Sequence, residues 1–232
     1  MSALQNSAAG KRAKSVVLLS GGLDSSANLA LCHAWDDPVL ALTIDYGQKA
    51  ASREIRAARA LCELYGVRHE TLDLRWLGGL GGSALTQADS AIPDLPTAQL
   101  DDMAAAMRTA KAVWVPNRNG VLINAAAAYA EKIGATRVIV GFNREEAATF
   151  PDNSVAYLEQ ASRALGFSTA NGVAVFSYTA ELDKREIVAE LRALKAPAFP
   201  FDLVWSCYTG AETPCGHCES CRRLARALGS QP

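Results

Sequence analysis

The chain has no excess charge of either sign. Its 23 lysines and arginines face 24 aspartates and glutamates, giving a net charge of −1 over 232 residues. That balance removes the whole-molecule attraction a nucleic acid partner would exploit, and only a local basic cluster could replace it. Long hydrophobic runs are missing as well. No stretch approaches about 18 uninterrupted apolar residues, which excludes a membrane-spanning helix. The opening stretch MSALQNSAAGKRAK carries basic residues without the apolar segment of a signal peptide, so the cytoplasm is the expected compartment. Internal repeats and coiled-coil heptads are also lacking. With 50% hydrophobic and 20% charged residues, the chain is expected to form one sizeable α/β core with at most a small appendage.

Cysteine is present but unevenly placed. Cys207, Cys215, Cys218 and Cys221 crowd the end of the chain, while Cys32 and Cys62 sit far upstream in helical patterns. In a reducing compartment this clustering argues for a metal before disulfides. The spacing C-x7-C-x2-C-x2-C brings four soft thiolates around one ion, as Zn²⁺ prefers, and a saturated thiolate site leaves no position for a catalytic water. A structural role follows. An iron–sulfur cluster is the chemical alternative. His217, between two ligands, is expected to face outward. Arg222, Arg223 and Arg226, just beyond, read as a solvated helix surface. Cys32 and Cys62 read as small buried hydrophobes.

Hydrophobic patterning along the chain alternates strand and helix. SVVLLS is a continuous apolar strand, followed by the turn GGLDS and a helix to about Trp35. VLALTIDYG reads as a second strand, Ser52 to Tyr65 as a helix stopped at Gly66, and VRHETLDL as a third strand. The order βαβαβ calls for a mostly parallel sheet with helices on both faces. From Gly78 to Asp102 the pattern dissolves into a Gly-, Ser- and Pro-rich stretch, expected to be a mobile loop. Order resumes with the turn VPNRNG, an alanine-rich helix to Gly134 and the strand TRVIVGF, whose polar sequel NREEAATFPDNS lies where open α/β sheets place ligands. A helix from about Val155 to Leu165, a short apolar VAVFSY and the helix DKREIVAELRAL complete the pattern. The expected organisation is a flexible segment over 1–13, a nucleotide-binding domain over 14–200 with its mobile loop at 78–102, and a tetracysteine segment over 201–232.

The turn after the first strand, SGGLDSS, carries the first chemical signal. Gly21 and Gly22 allow backbone N–H groups to turn toward an anion, and Ser25 and Ser26 open a helix whose N-terminus favours phosphate. A carboxylate at Asp24 makes electrostatic sense beside phosphates only if a divalent cation such as Mg²⁺ intervenes or if it orients loop donors. The chain lacks GxxxxGK[ST], hence a Walker lysine, and lacks GxGxxG at this turn.

SGGLDS directly after VVLL resembles the pyrophosphate loop of the adenine nucleotide α-hydrolase superfamily, the PP-loop ATPases. Further motifs follow in order: DYGQK at Asp45–Lys49, VPNRNG at Val115–Gly120, GFNREE at Gly141–Glu146, FPDNS at Phe150–Ser154 and the final cysteine run. Together they resemble the 7-cyano-7-deazaguanine synthase family over nearly the whole chain. The resemblance implies a two-stage reaction at the cost of ATP. The carboxylate of 7-carboxy-7-deazaguanine is adenylated and converted by ammonia to an amide, whose oxygen is adenylated in turn and lost to leave the nitrile used for queuosine-type bases.

The resemblance also assigns roles. Leu19, Ser20, Gly21, Gly22, Leu23, Asp24 and Ser25 would hold ATP and its pyrophosphate with Mg²⁺, while Asp45, Tyr46, Gln48 and Gly141 shape the nucleotide site. Arg118 and Asn119 match a PGRN segment beside the nucleotide, and Lys184 matches a lysine that meets phosphate. Ser20, Asp24, Ser25, Arg118 and Lys184 are the expected catalytic set. Asn143, Phe150 and Asp152 would read the substrate, although Phe150 stands where the family has tyrosine, Thr149 where it has glycine and Asn153 where it has cysteine. Phe150 keeps an aromatic face for stacking. The four cysteines would hold one structural Zn²⁺. A homodimer is expected, with no direct nucleic acid partner. No glutaminase segment is apparent, so ammonia arrives free or from another protein. The competing readings are a PP-loop enzyme forming only an amide or acting on another deazaguanine acid or on tRNA, and a zinc-stapled nucleotide-binding protein without catalysis.

Overall fold

The computed structural model describes residues 12–195 and 197–229. All but the last two residues of the expected flexible segment 1–13 lie outside them. Five strands form one sheet: β1 Lys14–Leu18, β2 Asp37–Asp45, β3 His69–Asp73, β4 Arg137–Ile139 and β5 Ala174–Phe176. Every pairing is parallel and the spatial order is β3-β2-β1-β4-β5. The chain therefore builds outward from β1 in one direction and returns to build from its other side. The point where the direction reverses, between β1 and β4, opens a crevice at the carboxyl ends of the two strands.

Residue alternation explains why both faces are covered. Val17 and Ala41 point into one apolar layer with Leu29, Leu61, Ile187 and Leu191, while Val16, Leu40 and Leu42 point into the other with Ile123, Ala126, Ala127 and Ala130. The first layer is closed by α1 Leu23–Trp35, α2 Ala51–Tyr65 and α8 Lys184–Ala193. The second is closed by α5 Arg118–Ile133 and α7 Val155–Ser168. Alanines on the buried face of α5 are what let that helix lie directly on β1.

Helix ends follow local sequence signals. Gly66 and Gly134 terminate α2 and α5 in left-handed conformation, with φ of 63° and 69°. Asp183 and Glu186 form a reciprocal capping box at α8. Two boundaries differ from the sequence pattern. Arg118 and Asn119 belong to the first turn of α5, not to the preceding turn, because Asn117 takes the left-handed cap position at φ 51°. An extra helix, α4 Met103–Val113, starts at Asp102, whose carboxylate accepts from the N–H groups of Ala104 and Ala105. Two further single-turn helices are α3 Arg75–Gly78 and α6 Arg144–Ala147, and α9 Glu219–Leu228 ends the described chain.

Segment 78–102 has little regular structure but many attachments. Ala84 N–H donates to Ala112 O at 2.8 Å, Lys49 N–H donates to Leu85 O at 2.8 Å, and Asp94 pairs with Cys218 in an isolated antiparallel bridge. Leu85, Leu95 and Leu100 are buried. The arginines of α9 are not a solvated surface. Arg222 pairs with Asp94 at 2.8 Å, Arg223 with Glu145 and Glu219 at 2.8 Å each, and Arg226 with Asp101 at 2.7 Å, each arginine side chain being under one-fifth exposed. Carboxylates from α6, from α9's own first turn and from segment 78–102 turn these three cations inward.

One buried amide ties the two halves of the sheet together. Asn28 of α1, wholly buried, donates to Asp24 O at 2.9 Å and Thr179 Oγ1 at 2.7 Å and accepts from Tyr178 N–H at 2.8 Å. Replacing it with leucine strands those partners without water. Asn28→Leu should lower unfolding free energy by about 2–3 kcal/mol, measured as an earlier urea midpoint with an unchanged slope.

Candidate active site

The crevice predicted by the strand order is a cavity of about 250 Å³. Its floor is the turn between β1 and α1. Gly21 holds φ +80°, and a β-carbon there would stand 2.8 Å from Ala57 Cβ and 3.0 Å from Glu54 O, so both the turn and the packing of α2 demand glycine. Within the turn Ser25 Oγ accepts from Ser20 N–H at 3.2 Å and donates to Gly22 O at 3.2 Å, while Ser20 Oγ lies 3.0 Å from Ser25 Oγ. The loop is thus braced by its own hydroxyls beneath the positive end of a 13-residue helix. Gly141, just past β4, completes the floor. A β-carbon there would meet Ser25 N at 2.5 Å and Ser25 Cα at 2.7 Å.

Over this floor three loops from the carboxyl ends of β1, β4 and β5 meet in one ion cluster. Lys184 Nζ donates to Asp24 Oδ2 and to Glu146 Oε1, the latter at 2.9 Å, and its side chain is 7% exposed. Burial works against the charged lysine, but the two carboxylates win and hold its pKa above the ordinary value. One ammonium cannot fully compensate two carboxylates. Burial pushes Asp24 up to about 6 despite the pull of Lys184, whereas for Glu146 the attraction of Lys184 overcomes burial and lowers its pKa. The second oxygen, Asp24 Oδ1, is buried without a hydrogen-bond partner.

The side wall is aromatic and cationic. Arg118 places its guanidinium carbon 5.7 Å from the ring centre of Tyr46 and its Nε 3.3 Å from Asn119 Oδ1. Asn119 Nδ2 donates to Asp152 O at 3.3 Å. Trp114 and Phe150 lie nearly parallel, 6° apart with ring centres 6.2 Å from each other. Burial raises the Asp152 carboxyl against the attraction of Arg118.

The tail closes the remaining side. The sulfurs of Cys207, Cys215, Cys218 and Cys221 all lie within 4.8 Å of one another, with Cys215 and Cys221 at 3.9 Å. A tetrahedron with Zn–S bonds of about 2.3 Å sets sulfurs about 3.8 Å apart, so the four residues fit a single zinc ion. An iron–sulfur cluster, with its irons spread over several ångströms, would hold its thiolates wider. Backbone N–H groups of Thr209 and Cys215 donate to Cys207 Sγ at 3.4 and 3.3 Å, and Cys218 N–H donates to Cys215 Sγ at 3.4 Å, which favours thiolates. His217 is exposed, as its position between ligands implied. The residues before the first ligand dock on the turn itself: Trp205 N–H donates to Gly21 O at 2.8 Å and Ser206 Oγ accepts from Leu23 N–H at 3.3 Å.

Of the residues singled out in the sequence, Leu19, Ser20, Gly22, Leu23, Asp24, Ser25, Tyr46, Gln48, Arg118, Asn119, Gly141, Phe150, Asp152 and Lys184 line the cavity. Gly21, Asp45 and Asn143 are not on its wall. Gly21 lies beneath the turn, and Asp45 Oδ1 accepts from Gly47 N–H at 2.9 Å. Asn143 is wholly buried and caps α6 by accepting from Glu146 N–H at 2.9 Å, which aims the Glu146 carboxylate at Lys184. Sequence reasoning missed Glu54, Trp114, Glu145, Glu146, Trp205, Ser206, Tyr208, Glu219 and Arg223 on the wall. Glu146 stood within the quoted GFNREE, and an acidic residue opposite a buried lysine was its only signal. Cys32 and Cys62 are buried, and burial pushes both thiols up to about 12, so neither is a ready nucleophile.

A parallel sheet with a glycine turn beside its switch point, at the N-terminus of a 13-residue helix, is the architecture of the nucleotide-binding α/β proteins of PP-loop type. Comparison narrows the class. Residues 14–231 match the family described as "Queuosine biosynthesis protein QueC". The chain is 51% identical over 217 residues to the 7-cyano-7-deazaguanine synthase of Desulforudis audaxviator, covering 94% of this chain and 97% of that one. It is 48% identical to the synthase of Desulforamulus reducens, covering 93% of each chain, and 47% identical to that of Bdellovibrio bacteriovorus, covering 95% and 94%. This chain belongs to the 7-cyano-7-deazaguanine synthase family. A solved structure of the U34-tRNA thiolase NcsA from Methanococcus maripaludis, 16% identical, shares the fold with a TM-score of 0.50, covering 84% of this chain and 63% of that one.

Two outcomes test the site as built. Lys184→Met leaves Asp24 and Glu146 facing each other uncompensated and should cost about 3 kcal/mol or more, read by urea unfolding at pH 8; because Lys184 holds Asp24 down to about 6, the variant's Asp24 takes up its proton at higher pH, and the loss should shrink as pH falls from 8 toward 6. A strong chelator should release one zinc per chain, measured by elemental analysis, and expose the Gly21–Leu23 turn to faster backbone hydrogen exchange.

Proposed function

We propose that this protein converts 7-carboxy-7-deazaguanine and ammonia to 7-cyano-7-deazaguanine, driven by ATP through an adenylated acid and an adenylated amide. The observation that carries the reading is full-length identity of 51% to a synthase of this activity, in a chain whose glycine turn, Arg118, Asp152 and Lys184 converge on one cavity. The chemistry requires it: carboxylate and amide oxygens leave poorly until esterified to phosphate, and the protein contributes positioning and charge stabilisation.

In this reading the backbone of the turn and the hydroxyls of Ser20 and Ser25 hold the pyrophosphate portion of ATP at the α1 N-terminus. Lys184 and Arg118 face the charge that develops as the α-phosphate is transferred. Tyr46 and Gln48 shape the nucleotide edge. Phe150 stacks on the deazapurine, and the Asp152 carboxylate accepts from the donors on its guanine-like edge. Asn143 acts through the Glu146 cap and not by touching substrate. The lone oxygen Asp24 Oδ1, buried and unpartnered, suits a Mg²⁺ ion, which would neutralise pyrophosphate as it departs. A zinc ion held by the four cysteine sulfurs would keep no open position for catalysis and would serve to seat Trp205, Ser206 and Tyr208.

The same reading places the protein in the cytoplasm as a homodimer acting on free substrate without nucleic acid. Exposed Trp76, Leu80, Met103 and Met107 are apolar side chains a second copy would cover, and the inward pairing of Arg222, Arg223 and Arg226 leaves no basic stripe on α9. Segment 78–102 moves to admit substrate, which requires breaking the Asp94–Cys218 bridge.

Incubation with ATP, Mg²⁺, ammonium and 7-carboxy-7-deazaguanine should yield the nitrile with two AMP per product, followed by mass spectrometry. Amide with one AMP would retain the adenylation and reject nitrile synthesis. No substrate-dependent AMP would reject the assignment.

A further inference from the structure

Six carboxylates line the cavity: Asp24, Glu54, Glu145, Glu146, Asp152 and Glu219. Four are committed to cations. Asp24 and Glu146 share Lys184, and Glu145 and Glu219 share Arg223. Asp152 belongs to the substrate-reading segment. Among the described residues Glu54 forms no ion pair, and its one hydrogen bond is from the Gln48 amide, which donates to Glu54 Oε2 at 2.8 Å. Gln48 is itself fixed, accepting from Tyr46 N–H at 2.9 Å and donating to Ile44 O at 3.1 Å. Glu54 sits in the first turn of α2, the helix that packs directly under Gly21, and so stands beside the pyrophosphate turn with one oxygen uncommitted.

The reaction assigned above needs a base. Ammonia reaches a neutral solution mainly as ammonium, which has no lone pair to attack an acyl adenylate. We propose that Glu54 is the general base that deprotonates ammonium in the cavity. This rests on the amidation reading of the preceding section. One N–H bond of ammonium breaks and its proton passes to the Glu54 carboxylate. The freed lone pair forms the C–N bond at the acyl carbon, the C–O bond to AMP breaks with its electron pair leaving on the phosphate oxygen, and the surplus N–H proton of the adduct goes to solvent. No oxidant or reductant is involved.

The electrostatic surroundings suit the task. Burial pushes the Glu54 carboxyl up to about 7, opposed by the Gln48 hydrogen bond and the charge of Arg118 and assisted by Asp45, while Tyr46 is the other titratable group facing it. A base with its pKa near the working pH is both largely ionised and able to hold a proton. Of the cavity's other carboxylates, four are held by cations that would have to be displaced first, and Asp152 belongs to the substrate-reading segment.

Glu54→Gln keeps the shape and the Gln48 contact region but cannot take a proton. In the wild type, amination at fixed total ammonium should rise to about pH 7 and level off, because the supply of ionised base and of ammonium then stays nearly constant. In Glu54→Gln the rate should follow free ammonia, climbing about tenfold per pH unit from 7 to 8.5, with a deficit at pH 7 of about a hundredfold. Hydroxylamine, neutral at pH 7, should be acylated by both proteins at similar rates, since it brings its own lone pair. Substrate-dependent exchange of pyrophosphate into ATP reports adenylation separately. Loss of that exchange in Glu54→Gln, or a pH profile identical to the wild type, overturns the proposal; absence of exchange in the wild type instead overturns the adenylation reading on which it rests.

Discussion

The structure turns on one buried ammonium. Lys184 begins α8 beyond β5, Asp24 begins α1 beyond β1, and Glu146 lies in α6 beyond β4, so a single side chain fastens the loops of three strands at the carboxyl edge of the sheet. Taking a lysine out of water is costly, and only two converging carboxylates make its charge the favoured state. Burial, assisted by the neighbouring Glu146 charge and opposed by Lys184, is what leaves Asp24 poised between ionised and protonated. Neighbouring contacts depend on this cluster. Lys184 N–H donates to Glu145 Oε1 at 3.0 Å, and Glu145 in turn binds Arg223 and Arg226 of α9.

Through those arginines the metal segment is part of the active site's wall. Its near side presents Trp205 and Ser206 to the glycine turn, and its far side presents Arg223 to Glu145. Thr109 of α4 also donates to Glu219 Oε2 at 2.6 Å, joining the helix that follows segment 78–102 to the same assembly. Four thiolates on one ion would fix the spacing of these contacts more rigidly than a hydrophobic patch of similar size, because bond lengths and not packing would set the geometry.

Much of this was readable beforehand, and the reasons are local. β1 and β2 announce themselves by continuous apolar runs, Gly66 and Gly134 by the left-handed stop they permit, and the cysteines by a spacing that needs no distant partner. What escaped was long-range. The arginines of α9 read as solvated because their carboxylates stand at residues 94, 101 and 145, which no window of sequence brings together. Glu54 carries no signal of its own, since nothing in its neighbours reveals that α2 abuts the turn. α4 was hidden for the opposite reason: its alanines and exposed methionines carry weak periodicity, and the Asp102 cap was the one clear mark of its start.

The contact between Ser206 and Leu23 spans 183 residues of chain. On a ribosome, where chains emerge N-terminus first, the glycine turn leaves the tunnel long before the residues that brace it. The sheet order repeats that delay, because β4 and β5 must insert beside β1 before Gly141 and Lys184 reach the turn. A nascent chain can therefore have most of its core in place and still lack a floor fit for pyrophosphate. The outer brace of the turn, Trp205 and Ser206, is thus in place only after every strand of the sheet has been made.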